Sequence, residues 1–274
     1  MPELPEVETV KNALSPHLQD HVFTRIETHI GQMRYSLAPL YDKELRNAKI
    51  TDIRRRGRYI VIELANLKAF IIHLGMSGSI RIVEETAERK KHEHVIWYLD
   101  NGMTMRFDCP RRFGFVKVCK LKVVGADPKE LSHLGVEPLK KEFDGAYLYE
   151  ATRKRTGSIK NLIMNNAIVV GVGNIYATEA LFASGIKPMR KASSLTKSQC
   201  DDLVKAIKAI LLRSIEAGGT TIADYKSVDG SEGKFVHELK VYGKKDQSCP
   251  VCGSEIEMTR LGGRSSCYCP KCQR

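Results

Sequence analysis

The sequence predicts an α+β chain built in parts: an antiparallel β domain led by one helix, then a helical region, then a small cysteine-bearing tail. Three observations predict it. Short alternating apolar segments separated by turn residues fill the chain up to Cys119. A helical apolar period takes over after Pro128. Two Cys-x2-Cys pairs close the chain.

Glu3 to Ser15 predicts the leading helix. Pro5 suits a first turn, Val7, Val10 and Leu14 stand at helical spacing, and Pro16 is the expected stop. Strands are predicted at Ile50–Arg55, Tyr59–Leu64, Ala69–Leu74, Ser79–Val83, His94–Leu99, Met103–Phe107 and Phe113–Cys119. Ile60, Ile62 and Leu64 share one face, as do Met103, Met105 and Phe107, and Asn101-Gly102 is a hairpin turn. The pattern changes at Gly125–Asp127–Pro128. Asn174 is the expected cap of a helix that reaches Ser184 and ends at Gly185. Thr196-Lys-Ser-Gln199 is a capping box, and Leu203, Ala206, Ile207, Ile210 and Leu211 form the stripe of the helix behind it. Gly218–Gly233 is a polar, glycine-rich stretch, and long loops of this kind are often functional. The expected partition is residues 1–131, 132–227 and 228–274.

Across 274 residues the formal net charge is +12, which favours a polyanionic partner, nucleic acid first. The apolar runs Tyr59–Leu64 and Ala69–Leu74 are too short to span a bilayer. Met1–Val10 has no basic region followed by an apolar run, so a soluble protein of the cytoplasm or nucleoid is expected.

Cys249-x2-Cys252 and Cys269-x2-Cys272 stand sixteen residues apart. Two thiolate pairs on tight turns supply a closed tetrahedral shell for one structural zinc, the alternatives being free thiols or disulfides. Four thiolates leave no open position for catalysis, and the ion would hold together a tail too small for its own core. Leu261-Gly-Gly-Arg264 between the pairs is a hairpin tip that presents Arg264. Cys109, Cys119, Cys200 and Cys267 fit no ligand spacing.

Pro2 is small enough for Met1 to be removed, which would leave a secondary amine at the chain terminus. Such amines titrate near pH ~8, so a useful fraction is uncharged at neutrality. An uncharged amine can attack a sugar C1′ and form an iminium. Glu3 is adjacent and Glu6 lies one turn on, so an acid/base is at hand. The same residues also suit an ordinary acidic helix start.

These pieces converge. Pro2-Glu-Leu-Pro-Glu-Val-Glu-Thr9, His73-Leu-Gly-Met-Ser-Gly-Ser79, Pro110-Arg-Arg-Phe-Gly114, Gly171-Val-Gly-Asn-Ile-Tyr-Ala177, Glu238-Leu-Lys-Val-Tyr-Gly243 and the cysteine tail occur in this order. The chain thereby resembles the bacterial formamidopyrimidine-DNA glycosylases over nearly its whole length. The resemblance implies an N-terminal antiparallel β-sandwich with a leading helix, then a helix–two-turn–helix region and a C-terminal zinc-finger β-hairpin. It implies DNA across the cleft between the domains, and excision of oxidised purines followed by β- and δ-elimination at the abasic site. Pro2 would attack C1′, Glu3 would serve as acid/base, and Arg264 would grip phosphates and take part in the last elimination. Met76, Arg111 and Phe113 would fill the gap left by the extruded nucleotide. His92, Arg155, Lys160 and Asn174 would contact DNA, and Gly219–Gly233 would close over the base. Read without the resemblance, Met76 is a turn residue, Phe113 a core aromatic, His92 a surface histidine, Arg155 part of a solvated basic face and Asn174 a helix cap.

Three positions depart from the family pattern. Arg58 stands for a lysine and is effectively never deprotonated. Cys109 stands for an aspartate, unless Asp108 takes its place. Asn165-Asn166 stands where an acidic residue is common. Two rivals share part of the signal: an endonuclease VIII-like pyrimidine glycosylase, which differs at Leu4 and lacks Pro110–Gly114, and a zinc-ribbon lesion binder without chemistry.

Overall fold

The structure, a computed structural model, describes residues 1–153, 155–220 and 233–274. The chain divides into two compact units, Met1–Ser132 with Gly218–Lys234, and His133–Ala217 with Phe235–Arg274.

The first unit holds helix α1 (Leu4–Leu18) and strands β1 (Phe23–Thr28), β2 (Ile50–Arg56), β3 (Tyr59–Leu64), β4 (Lys68–His73), β5 (Ser79–Glu84), β6 (Glu93–Leu99), β7 (Met103–Asp108) and β8 (Phe115–Lys120). They form two four-stranded antiparallel sheets, in the orders β1-β6-β7-β5 and β2-β3-β4-β8. Alternation sends one face of each sheet into a shared core. There Phe23 of one sheet meets Phe70 of the other edge-on at 5.7 Å, and Trp97 lies 6.0 Å from Phe70. Val7, Val10, Leu14 and Leu18 seat α1 in the same core. The helix runs two residues past Pro16. Pro16 brings no N–H to the Asn12 carbonyl, and Leu18, fully buried, keeps the last turn in place despite that loss.

Strand β1 has no counterpart in the sequence reading. Only Phe23 and Ile26 of it are buried, so its pattern is weak, and pairing along β6 makes it a strand. Phe113 was expected to open the last strand; β8 begins at Phe115 instead, and Phe113 stands in the preceding turn.

The second unit holds α2 (Gly145–Arg153), α3 (Ile159–Ile163), α4 (Asn174–Ala183), α5 (Lys197–Glu216) and a hairpin of β9 (Glu257–Leu261) and β10 (Arg264–Tyr268). Helix α5 opens with the Thr196–Gln199 capping box and buries Leu203, Ile207, Ile210 and Leu211. Gly173, rather than Asn174, caps α4. Asn174 already belongs to the first turn, so its side chain cannot fold back as a cap, and its Oδ1 has no partner among the described residues. The carboxylate of buried Glu179 on α4 accepts the backbone N–H groups of Lys240, Val241 and Tyr242 at 2.7–2.9 Å. No helix among the described residues is long and apolar enough to cross a membrane.

Candidate active site and metal centre

Glu3 caps α1 and forms a capping box with Glu6. One Glu6 oxygen accepts the Glu3 N–H at 2.8 Å, and the other accepts the Thr220 N–H at 2.8 Å. A single buried carboxylate thus fixes both the residue after Pro2 and the first residues of the Gly219–Gly233 segment. Pro2 and Glu3 are themselves buried. The contacts expected of residues 221–232 lie outside the described residues.

Met1 forms one wall of a cavity of about 340 Å³, with His73, Met76, Arg112 and Phe113 among the other walls. Met76 and Phe113 are large apolar side chains left 44% and 56% exposed, which rules out the core role open to Phe113 from the sequence alone. Their turns hold each other: Arg111 Nε donates to Ser77 Oγ at 3.1 Å. A Cβ on Gly75, whose φ is +69°, would lie 2.4 Å from the Gly114 nitrogen, so only glycine permits this approach. His92 is partly exposed, with its ring 6.0 Å from that of His94.

His73, absent from the sequence-derived site, is the best-defined titratable group here. Its ring stacks on Phe115 at 5.5 Å, and Nδ1 accepts the Gly75 N–H at 3.1 Å. That bond leaves the proton on Nε2 in the neutral ring. Burial, then the charges of Arg58 and Arg34, push its pKa down to about 4. Arg58 itself reaches toward the Met1 sulfur, and its Nε is buried with no partner among the described residues. The signal for His73 was its place at the head of the Leu74-Gly-Met76 motif.

In the second unit, Arg155 is exposed, whereas its neighbour Arg153 stacks on Tyr149 at 3.9 Å and donates to the Leu195 carbonyl. Lys160, expected at DNA, is 1% exposed. Its amine donates to the Ser265 carbonyl at 3.0 Å and to Ser266 Oγ at 2.7 Å. It fastens α3 to β10 directly beside Arg264, which is exposed at the hairpin tip. At Asn165 no acid is needed: its Oδ1 accepts the Ala167 N–H at 3.0 Å.

The four tail sulfurs lie within 4.8 Å of one another, with Cys249–Cys272 at 3.9 Å and Cys252–Cys269 at 3.5 Å. Zinc–sulfur bonds of ~2.3 Å in a tetrahedron place sulfurs about 3.8 Å apart. The cluster therefore fits one structural zinc, and Cys267, buried in the same cluster, stays outside the shell.

Comparison with known proteins agrees with this geometry. Residues 1–116 match the formamidopyrimidine-DNA glycosylase N-terminal domain, 134–226 its H2TH domain, and 246–274 the zinc finger found in FPG and IleRS. The chain is 46% identical to the formamidopyrimidine-DNA glycosylase of Serratia proteamaculans over 274 residues, covering 100% of both. It is 45% identical to that of Proteus mirabilis, covering 100% of this chain and 98% of the relative. Among solved structures it is similar to a Lactococcus lactis FPG mutant in complex with Fapy-dG-containing DNA (TM-score 0.88, 32% identity, 100% of both chains). It is also similar to MutM (FPG) of Thermus thermophilus (TM-score 0.87, 32% identity, 99% and 98% covered). The chain belongs to the formamidopyrimidine-DNA glycosylase family.

Proposed function

We propose that this chain is a base-excision repair enzyme that removes oxidised purines from duplex DNA with the ring nitrogen of Pro2, and then cuts the strand at the abasic site. The carrying observation is the cavity at the chain start: its wall is Met1, and buried Pro2 follows directly. Removal of Met1 would free the Pro2 nitrogen and open the place where the sugar must sit.

The chemistry follows from a secondary amine. The nitrogen lone pair attacks C1′, the N-glycosidic bond breaks, and the base leaves with a proton. Once the sugar ring opens, the adduct is an iminium whose charge acidifies the 2′ carbon. Loss of that proton expels the 3′ phosphate, and a second elimination expels the 5′ phosphate. Glu3 is the group placed to carry protons next to the nitrogen. Met76, Arg111 and Phe113 are proposed to fill the stack after extrusion, and exposed Arg264 and Arg155 to take phosphates. His92 and Asn174 are proposed as further DNA contacts. The tail zinc would supply structure only.

Purines are favoured over pyrimidines because two solved relatives hold DNA carrying Fapy-dG and carbocyclic 8-oxo-G. The bacterial relatives support a bacterial cytoplasmic setting, and we take the acting species to be a monomer. Borohydride trapping on an 8-oxoguanine duplex tests the reading. A covalent adduct is expected, lost when an added N-terminal tag blocks the amine and weaker on a thymine glycol duplex. Tight lesion binding without any adduct would instead make the chain a non-catalytic binder.

A further inference from the structure

The turn from Cys109 to Gly114 carries Arg111 and Phe113 out toward solvent, yet its own start is packed away. Cys109 is 1% exposed, beside Phe107 in the core of the first unit. Its N–H donates to the His92 carbonyl at 3.0 Å, and its carbonyl accepts the Arg112 N–H at 3.0 Å. Arg112 has a φ of +54°, a left-handed conformation that costs a non-glycine residue roughly 1 kcal/mol or more. Such a conformation persists only where the surroundings over-determine it.

The sulfur is the group round which the turn closes. A Cβ on Gly114 would meet Sγ at 3.1 Å, so the chain passes over the sulfur in near contact. Burial pushes the Cys109 thiol up, and the backbone N–H groups of Gly114, Arg112 and Phe113 act against that rise.

We propose that Cys109 is a positioning residue for the Arg111–Phe113 turn, its sulfur setting the angle at which Phe113 stands beside Met76. The proposal rests on the reading that this turn enters the DNA stack. Cys109 touches no reacting atom. It acts by keeping Phe113 from wandering, and misplacement of a group by about 1 Å can cost as much as 10²-fold.

The test separates opening of the duplex from chemistry on the sugar. A 2-aminopurine next to the lesion brightens when the stack opens. Cys109→Ala is expected to lower that signal and to lower kcat for 8-oxoguanine release about tenfold, while nicking at a preformed abasic site stays within about twofold of the parent. Cys109→Asp, which again fills the space beneath Gly114 with a hydrogen-bond acceptor, should recover most of the loss. Adding Cys109→Ala to Phe113→Ala should cost nothing further. Equal losses on both substrates, unchanged release, or full additivity with Phe113→Ala would each overturn the proposal. If Cys109→Ala does not fold, Cys109→Ser against Cys109→Asp gives the same comparison. A parent protein that opens the stack but neither releases base nor nicks would refute the catalytic reading and leave the positioning role standing.

Discussion

In the sandwich unit, Glu6 collects the N–H groups of Glu3 and Thr220 above a core that includes Phe23, Phe70 and Trp97. In the tail, the buried cluster is Val241 and Ile256 with Cys249, Cys267 and Cys269. The first holds its N-terminal end by burying apolar area across two sheets. The second has almost no apolar area to bury and substitutes metal–sulfur bonds for a core. The two ends of the chain are therefore held in place for different reasons, and they should fail under different insults.

The largest expected effect follows from that contrast. Structural zinc sites in small modules are worth roughly 10–16 kcal/mol, so chelation or Cys252→Ser with Cys269→Ser should unfold the tail. Affinity for lesion DNA should drop at least about a hundredfold, while Trp97 fluorescence, a reporter inside the sandwich, stays native. Loss of both signals together would break the comparison.

A smaller effect should distinguish two neighbouring cations. Arg264 is exposed, so Arg264→Ala should weaken DNA binding and reduce the slope of log K against log salt by ~1. Lys160 is buried with its amine on Ser265 and Ser266. Lys160→Met should leave the salt slope unchanged and destabilise the unit by about 1–3 kcal/mol, read from thermal melting. A reduced slope in Lys160→Met would restore it to the DNA-contacting set.

The smallest effect lies in the sandwich. His73 has a folded pKa of about 4 against an unfolded value near ~6.5. Between these values the unfolded chain binds more protons, so stability is fully present above the unfolded pKa and falls as the pH drops toward 4. The total is on the order of 3 kcal/mol. His73→Phe should flatten this dependence in urea titrations followed by Trp97 fluorescence.

The sequence made some of this legible and concealed the rest for physical reasons. Strand β7 alternates in sequence, α5 has a capping box and a stripe, and the cysteine spacing fixes the metal shell, because each is a local pattern. Strand β1 is held by its partner, and Asn174 missed the cap by one residue, because neither depends on local pattern alone. Pro2, Glu3 and Arg264 were placed in the candidate site by motif order. His73 was not, since its neutral state comes from Phe115 and the charges of Arg34 and Arg58, which are remote in sequence. The resemblance implies a DNA contact for Lys160, and only the fold shows where its amine goes.

The proposed chemistry turns on one nitrogen, freed by loss of Met1 and bonded to the sugar. Borohydride-reduced complex can be digested and sequenced by mass spectrometry. The expected product is a chain lacking Met1 with the deoxyribose remnant on Pro2. A remnant on any lysine, or an active enzyme that still carries Met1, would contradict it.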